Sequence, residues 1–237
     1  MVQIQDFLDD PETLKERIHP LQCIDCSVMP YREALDLQLE LNGLVASKRF
    51  PSVMLLVEHP PVITLGIHRN HNQLIQSEDQ LAAMGIEVVQ IRRGGGTTAH
   101  NPGQLVIYPI VNLDEFGFHV APFVHYLEHI AMEVLAKTNI HATRRNRYPG
   151  LWFGERKIAS IGIQIARRTS MHGIAINLYN DLGIFDCIVP CGIDGVEMTS
   201  VEKEGGLILP MQQLKDVVQS SCLSLLTGYG GRKEADR

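Results

Sequence analysis

Apolar positions recur at helical spacing in three parts of the chain. They share one face of a predicted helix over about 31–46, and the same spacing predicts a helix over about 122–138. A last helix is predicted to begin at Pro210, which suits a first helical turn. Ser77 and Gln80 form a capping-box pattern, so a short helix is predicted to begin between them.

Shorter apolar runs between these helices predict β-strands. The predicted strands cover residues 53–57, 62–66, 86–91, 104–111, 158–165 and 171–178. The last two are predicted to form a hairpin, connected by the polar residues 167–170. Helices and strands are interspersed without an internal repeat or a linker. The pattern therefore predicts an α+β fold, a single domain with a mixed β-sheet flanked by helices.

The two ends of the chain differ in character from the centre. Residues 1–20 are polar and contain two prolines, so they are predicted to be an N-terminal extension. Residues 228–237 are predicted to be a flexible tail, which leaves 21–227 as the folded domain.

Composition and charge exclude several classes of protein. The net charge of −6 argues against general nucleic-acid binding, which needs a basic face. No apolar run approaches the roughly 20 residues that span a bilayer, so no membrane association is expected. The first ten residues lack the features of an export signal, and a cytoplasmic location is expected.

The five cysteines are expected to be thiols in a reducing compartment. Cys23 and Cys26 have the spacing of half a metal site, but no second pair accompanies them, so alternation along an early strand is favoured. His68 and His71 lack a third ligand and are interpreted as part of a polar loop. No metal is predicted.

A glycine-rich segment from Arg93 to His100 is the first candidate for a binding site. Three adjacent glycines allow backbone N–H groups to approach a ligand closely, but a tight connection between strands would also use them. Composition alone does not separate these two interpretations. Arg93 and His100 favour binding, because polar groups beside such a turn can orient a carbonyl or carboxylate group.

Lys157 and Cys191 are the candidates for chemistry. Lys157 begins an apolar strand; desolvation would make it a usable base, whereas most lysines at strand ends face solvent. Cys191 lies between Pro190 and Gly192 on a predicted loop, where a nucleophilic thiol is accessible. Cys187 and Cys222 are interpreted as buried structural residues, and so is His172.

Six separated motifs resemble the octanoyltransferases of lipoate biosynthesis, from about Leu21 to Glu204. The motifs are Glu58-His-Pro-Pro61 with Thr64-Leu-Gly66, Arg93-Gly-Gly95 with His100, Pro102-Gly-Gln-Leu105, Arg156-Lys-Ile-Ala159 with Ile161-Gly162, Met171-His-Gly173, and Ile188-Val-Pro-Cys-Gly-Ile193. The resemblance implies the fold of biotin and lipoate protein ligases.

The resemblance also implies roles for individual residues. Cys191 would be the acyl-thioester nucleophile and Lys157 its partner. The implied substrate-binding residues are Arg93, Gly94, Gly95, Gly96, Thr97, Thr98, Ala99, His100, Ser160, Ile161, Gly162, Gly173, Ile174 and Ala175. Gly96, Ala99 and Asn101 depart from the family pattern, and the small Ala99 in place of a tyrosine predicts a wider acyl tunnel.

The implied reaction transfers an octanoyl group from octanoyl-acyl carrier protein to a lysine of a lipoyl domain. The implied acceptors are the lipoyl domains of 2-oxoacid dehydrogenases and the glycine cleavage H protein, and no cofactor is required. Docking of the acidic carrier protein is attributed to six candidate arginines, Arg144, Arg145, Arg147, Arg156, Arg167 and Arg168, although an ordinary solvated face explains them equally well.

Three other functions stay open from the sequence. An ATP-dependent lipoate or biotin protein ligase would share the fold but would need no cysteine nucleophile. An amidotransferase would take its acyl group from another lipoyl protein. A non-catalytic acyl or thiol sensor would not need both Lys157 and Cys191.

Overall fold

The computed structural model describes residues 2–3, 21–68, 70, 72–190 and 195–229 of the 237-residue chain. Cys191 and His71 lie outside the described residues. Most of the predicted N-terminal extension and of the predicted tail also lie outside them, so the proposed domain boundaries stay a prediction.

Within the described residues, eleven strands form two sheets. In chain order they are β1 Val2–Gln3, β2 Leu21–Val28, β3 Ser52–Glu58, β4 Val62–Leu65, β5 Glu87–Gln90, β6 Thr98–His100, β7 Gln104–Ile110, β8 Thr143–Arg145, β9 Tyr148–Phe153, β10 Arg156–Ala166 and β11 Thr169–Asn177. The main sheet has the order β1-β2-β3-β7-β11-β10-β9-β8. Its β1–β2 and β2–β3 pairs are parallel and the others antiparallel, which confirms the predicted mixed sheet.

Four α-helices and a 3₁₀ helix complete the described part of the fold. The α-helices are α1 Tyr31–Ala46, α2 Glu78–Ala83, α3 Val120–Lys137 and α4 Met211–Tyr229, and the 3₁₀ helix covers Leu182–Cys187. The predicted bounds of α1 are confirmed, and so is the capping box of Ser77 and Gln80 at α2. None of the helices in the described ranges is long and apolar enough to cross a membrane.

The main sheet is buried on both faces by helices. Along β7, Leu105 and Ile107 pack in the cluster that includes α3 and α4, whereas Val106 and Tyr108 pack in the cluster that includes α1. A strand buried on both sides has no polar face, which explains the continuous apolar run in its sequence. Cys23 and Cys26 likewise belong to opposite clusters, as the predicted alternation on a strand requires.

A second sheet, with the order β5-β4-β6, lies outside the main one. The sequence patterns do not predict it, because β6 has only three residues and its pairing with β4 is a long-range contact. The glycine-rich segment connects β5 to β6. Both interpretations of that segment therefore have a basis, since it is a strand connection and it also reaches the candidate site.

The hairpin of β10 and β11 turns more tightly than predicted. Its connection is the pair Arg167 and Arg168, with φ values of 51° and 63°, and β11 already begins at Thr169. A two-residue hairpin needs positive φ at both central positions to match the twist of its strands. The turn holds the eight paired positions of β10 and β11 in one register, from Ala159–Ile176 to Ala166–Thr169.

Candidate active site

A cavity of about 800 Å³ is lined by the main sheet, the glycine-rich segment, Tyr31 of α1 and Val124 of α3. Lys157 and most of the predicted substrate-binding residues line it. They are Arg93, Gly94, Gly95, Gly96, Thr98, His100, Ser160, Ile161, Gly162, Gly173, Ile174 and Ala175. Residues that are up to 82 positions apart in sequence thus share one cavity, although that arrangement does not by itself assign their roles.

Thr97 and Ala99 do not line this cavity. Both are fully buried, and they alternate with Thr98 and His100, which face it. Ala99 packs with Ile63 in the cluster around the 3₁₀ helix. The widening of the cavity that Ala99 was expected to produce is therefore not found, because this side chain points into the protein.

Close backbone contacts hold the glycine-rich segment against the sheet. The N–H group of Gly94 donates to the carbonyl oxygen of Ile163 over 3.0 Å. A Cβ atom on Gly162 would lie 2.8 Å from the Gly94 oxygen, and one on Gly66 would lie 2.1 Å from the Gly95 oxygen. Glycine is needed at these positions because the backbones approach too closely for any side chain.

The guanidinium group of Arg93 is buried and fixes the start of this segment. Its Nη2 atom donates to the carbonyl oxygen of Thr64 over 2.9 Å and to the hydroxyl of Thr64 over 2.8 Å. Its Nη1 atom donates to the Gly94 oxygen over 3.1 Å. Arg93 therefore positions the segment from within as well as lining the cavity.

Two tyrosines and two histidines form a buried polar cluster at the cavity. Tyr31 stacks on His100 at 5.8 Å between ring centroids, and the hydroxyl of Tyr108 lies 2.8 Å from Nε2 of His59. Nδ1 of His59 lies 2.7 Å from the Met29 carbonyl, which can only accept, so Nδ1 carries the proton and Tyr108 donates to Nε2. The sequence analysis missed Tyr31 and Tyr108, because each occupies an ordinary apolar position of its helix or strand.

Burial holds three histidines of this region in the neutral form. It lowers the pKa of His59 to about 4. The pKa of His100 falls to about 3, by burial and then by the nearby His59. The pKa of His172 also falls to about 3, by burial and then by the charge of Arg93. At neutral pH these imidazoles can serve as hydrogen-bonding groups but carry no charge.

These lowered pKa values predict a loss of stability in mild acid. An unfolded histidine has a pKa of about 6.5, so between that value and about 4 the unfolded state binds more protons than the native state. The free energy of unfolding should therefore fall as the pH falls through this range. At pH 5 the loss should reach about 2 kcal/mol for each buried histidine, as measured by urea unfolding at a series of pH values.

Carboxylates also titrate in acid, and a pair of variants distinguishes their contribution to the loss of stability from that of the histidines. His172→Asn should flatten the decrease between pH 7 and pH 5, and asparagine tolerates the positive φ of 56° at this position. His141→Asn, at an exposed position, should leave the decrease unchanged. Equal pH profiles for His172→Asn and the unchanged protein would contradict the assignment.

Lys157 is buried, with 2 % of its surface exposed, so a solvent-facing lysine is the wrong interpretation. Its Nζ atom lies 5.5 Å from the centre of the Trp152 ring. Gly150, at φ 111°, passes so close that a Cβ atom there would lie 3.0 Å from Cε of Lys157. A register shift in the β9–β10 pairing, between Lys157 and Ala159, accompanies this inward orientation.

A chain of hydrogen bonds connects His100 to the backbone of Lys157. Nδ1 of His100 lies 2.7 Å from Oε1 of Gln104, and Nε2 of Gln104 donates to Oδ1 of Asn177 over 2.8 Å. Nδ2 of Asn177 then donates to the Thr199 oxygen over 2.9 Å. The Thr199 N–H group in turn donates to the Lys157 oxygen over 2.9 Å, so a continuous series of hydrogen bonds connects His100 with Lys157.

Hydrogen bonds connect the chain on either side of Cys191 to the glycine-rich segment and to the backbone of Lys157. Before it, the Val189 N–H group donates to the Gln73 oxygen over 3.1 Å, and the Gln73 N–H group donates to the Thr97 hydroxyl over 3.0 Å. After it, the Glu197 oxygen accepts from the Lys157 N–H group over 2.8 Å. Residues 191–194 therefore connect a segment bonded to the glycine-rich loop with a segment bonded to Lys157.

The other predicted cysteine assignments are confirmed by burial. Cys187 is the last residue of the 3₁₀ helix and is buried in its core cluster, and burial raises the pKa of its thiol. Cys222 lies on α4 and packs in the core cluster that includes α3, where burial again raises the pKa of the thiol. Among the described residues no group of histidines, cysteines and carboxylates is arranged to hold a metal ion.

Comparison with known proteins assigns the family. Residues 30–222 match the lipoyl protein ligase A/B catalytic domain. The chain belongs to this family. It is 36 % identical to an octanoyltransferase of Maridesulfovibrio salexigens, over 83 % of this chain and 92 % of the relative. It is 42 % identical to an octanoyltransferase of Syntrophobacter fumaroxidans, over 76 % of this chain and 79 % of the relative.

The resemblance that the sequence motifs indicated is thereby confirmed, as is the prediction of an acyltransferase that moves octanoyl groups. The fold is similar to the crystal structure of lipoate-protein ligase A bound with ATP, at a TM-score of 0.65 and 12 % identity, over 87 % of this chain and 85 % of that one. The predicted ligase-like α+β fold is confirmed by this similarity.

Proposed function

We propose that this member of the family transfers an octanoyl group from acyl carrier protein to a lysine of a lipoyl domain, through a thioester on Cys191. The observation that carries the proposal is the buried amine of Lys157 on the wall of the cavity, with its backbone bonded to the segment that follows Cys191. A base and a thiol on adjacent segments are what covalent acyl transfer requires.

The first half of the reaction acylates the enzyme. Lys157 accepts the proton of the Cys191 thiol, and the sulfur attacks the carbonyl carbon of the donor thioester. A new carbon–sulfur bond forms as the bond to the carrier's sulfur breaks, and the carrier thiolate takes the proton from Lys157, which returns to the neutral amine. Backbone N–H groups of the glycine-rich loop suit stabilisation of the oxyanion, because Gly95 and Gly96 border the cavity.

The second half transfers the acyl group to the acceptor. The amine of the acceptor lysine attacks the thioester carbon, the bond to the Cys191 sulfur breaks, and an amide forms. Lys157 takes a proton from the attacking amine, and the Cys191 thiolate is released. An amide is more stable than a thioester, so neither ATP nor another cofactor is consumed. The proposed acceptors are the lipoyl domains of 2-oxoacid dehydrogenases and the glycine cleavage H protein.

The experiment that tests this function uses octanoyl-carrier protein without ATP. Intact-mass measurement should show one octanoyl group on the enzyme, removable by hydroxylamine as expected for a thioester. Addition of a lipoyl domain should move the group to that protein. Strict dependence on ATP would instead identify a ligase, and an acyl group accepted only from another lipoyl protein would identify an amidotransferase.

Four of the six arginines considered for carrier docking are held by partners within the chain. Arg144 bonds to Glu128, Arg145 to Glu155, Arg156 to Glu204 and Arg168 to Asp114. Glu128 is buried and also accepts from the Gly150 N–H group, next to Lys157. Charge reversal at Arg144 would therefore disturb the site itself and could not report on docking alone.

Arg147 is the better candidate for contact with the acidic carrier protein. It is exposed at the edge of the cavity, and no ion pair engages it within the described ranges. We expect Arg147→Glu to raise the KM for octanoyl-carrier by about tenfold, because like charges at an interface cost about 1–2 kcal/mol in binding. The kcat/KM for a small octanoyl thioester should be unchanged.

Arg167→Glu is the matched control for this prediction. It reverses the charge of another exposed arginine, at the hairpin turn and not at the cavity. It should leave both substrates unaffected. An equal effect of Arg147→Glu on the carrier and on the small thioester would reject a docking role for Arg147.

A further inference from the structure

Strand β10 has an open edge beside the cavity. On this edge it pairs with β9 only as far as Ala159, opposite Leu151. The next backbone contact on the same edge is the hydrogen bond from the Gly94 N–H group to the Ile163 oxygen. Between these two contacts lies Ile161.

The backbone groups of Ile161 point out from this edge. In an antiparallel pair the N–H and C=O groups of one residue face the same side, and residues two apart face alike. Because the Ile163 oxygen faces the glycine-rich loop, Ile161 and Ile165 face outward too. Neither makes a backbone hydrogen bond on that side with any part of the chain that the structure describes.

The open edge therefore forms a slot, and the backbone N–H and C=O groups of Ile161 line it. The four steps along the strand from Ala159 to Ile163 span about 13 Å. Ser160, Ile161 and Gly162 all line the cavity, which is also bordered by Tyr148 of β9 and Gly95 of the loop. The hydroxyl of Ser160 is buried and has no hydrogen-bond partner in the structure. Like the Ile161 backbone, it can form a hydrogen bond with a ligand in the slot.

We propose that this slot binds the pantetheine arm of the acyl donor, with a secondary amide of the arm paired to Ile161 as a short strand would be. The proposal rests on the proposed function, in which the donor is a carrier protein whose acyl group is attached through such an arm. The amide N–H group donates to the Ile161 oxygen, and the amide oxygen accepts from the Ile161 N–H group.

The dimensions of the slot favour the arm over a peptide strand of the acceptor. A strand of a folded protein would need a longer open edge, whereas contacts at Ala159 and Ile163 close this one at both ends. A chain of methylenes and single amides is slender enough to pass between them. Arg147, which also lines the cavity, provides a positive charge for the phosphate at the far end of the arm.

Small donors that differ in one group test the proposal. The rate of enzyme acylation is measured with S-octanoyl-N-acetylcysteamine, with its N-methylated form, and with an octanoyl thioester of similar length that has an ether in place of the amide. We expect the amide donor to have a kcat/KM about tenfold above the other two, since a hydrogen-bonded pair contributes about 1–1.5 kcal/mol. Equal values for all three donors would overturn the proposal.

Variants of the edge assign this preference to Ile161. Ile161→Pro removes the N–H group, and proline is tolerated on the outward side of an edge strand. It should reduce the preference for the amide donor to less than threefold. Ile165→Pro removes the equivalent N–H group outside the cavity and should retain the tenfold preference. A native circular-dichroism spectrum together with an unchanged preference in Ile161→Pro would reject the assignment.

The outcomes also distinguish this proposal from the proposed function. Acylation of the enzyme by all three donors at equal rates would support the function and overturn the slot. An effect of Ile161→Pro confined to transfer onto the lipoyl domain would assign the slot to the acceptor instead. No acylation by any thioester would reject the function itself.

Discussion

Lys157→Met should reduce the rate of acyl-enzyme formation by about a thousandfold. A positioned general base typically contributes a factor of 10² to 10⁴, and methionine supplies no proton acceptor of comparable strength. The substitution should preserve the fold, because methionine has a similar length and suits a site that is 2 % exposed beside Trp152. Single-turnover mass measurements with octanoyl-carrier give the rate directly.

Two comparisons make this result specific to the amine. Lys203→Met is the matched control, since Lys203 is exposed and bonds to Glu197 on the same segment that pairs with the Lys157 backbone. It should retain the normal rate. Cys191→Ser should form no adduct that hydroxylamine removes. If Lys157→Met were acylated as fast as Lys203→Met, another group would have to be the base.

The burial of Lys157 could not be predicted from the local sequence. Local sequence places a lysine at the start of a strand, and most such residues face solvent. Its burial depends on the irregular pairing with β9 and on hydrogen bonds to Glu197 and Thr199, some 40 residues later. Such long-range pairing leaves no periodic signal near residue 157, and only the family resemblance pointed to this amine.

Helices with a strong local signal were predicted best. The bounds of α1 agree with its apolar stripe, and Ser77 caps α2 as its motif indicates. By contrast, α3 begins at Val120, two residues before Pro122, because a proline is tolerated anywhere in the first turn, where N–H groups have no helical partner. Strands β8 and β9 were missed because they are short and polar at their ends.

The resemblance gave the substrate-binding residues as continuous runs of sequence, which do not separate the two faces of a strand. A motif transfers as a continuous run, so Thr97 and Ala99 were included with Thr98 and His100. In the structure Thr97 instead holds Gln73, and through it the segment before Cys191. Strand alternation applied to the motif would have separated the residues that line the cavity from those that support it.

Asn101, one of the departures from the family pattern, also has a supporting role. Its Nδ2 atom donates to the Asp181 oxygen over 2.7 Å, and its Oδ1 atom accepts from Asn180 over 3.0 Å. Asp181 in turn caps the 3₁₀ helix that precedes the Cys191 segment. Asn101 therefore helps to hold the helix that precedes Cys191, which no local sequence pattern could indicate.

Gly173→Ala should destabilise the fold by about 3 kcal/mol or more. Gly173 lies on β11 beside β7, in the middle of the main sheet, and a Cβ atom there would lie 2.0 Å from the Ile107 oxygen and 2.7 Å from Cδ of Pro109. Both neighbours are held in the sheet, so the clash can be relieved only by separating two central strands. Added volume in a packed interior costs about 1–3 kcal/mol, and backbone cannot move as a side chain can.

Thermal and urea unfolding should show this loss, with a decrease in Tm of roughly 6–12 °C for a chain of this size. Gly43→Ala is the matched control, because the same methyl group on α1 would meet only a side-chain atom of Arg167 at 3.8 Å. In a helix that change should increase stability by about 0.5–1 kcal/mol. The two variants should change stability in opposite directions because Gly173 has no space for a methyl group and Gly43 does. A Gly173→Ala protein as stable as the original would mean that β7 and β11 are not held as closely as the structure requires.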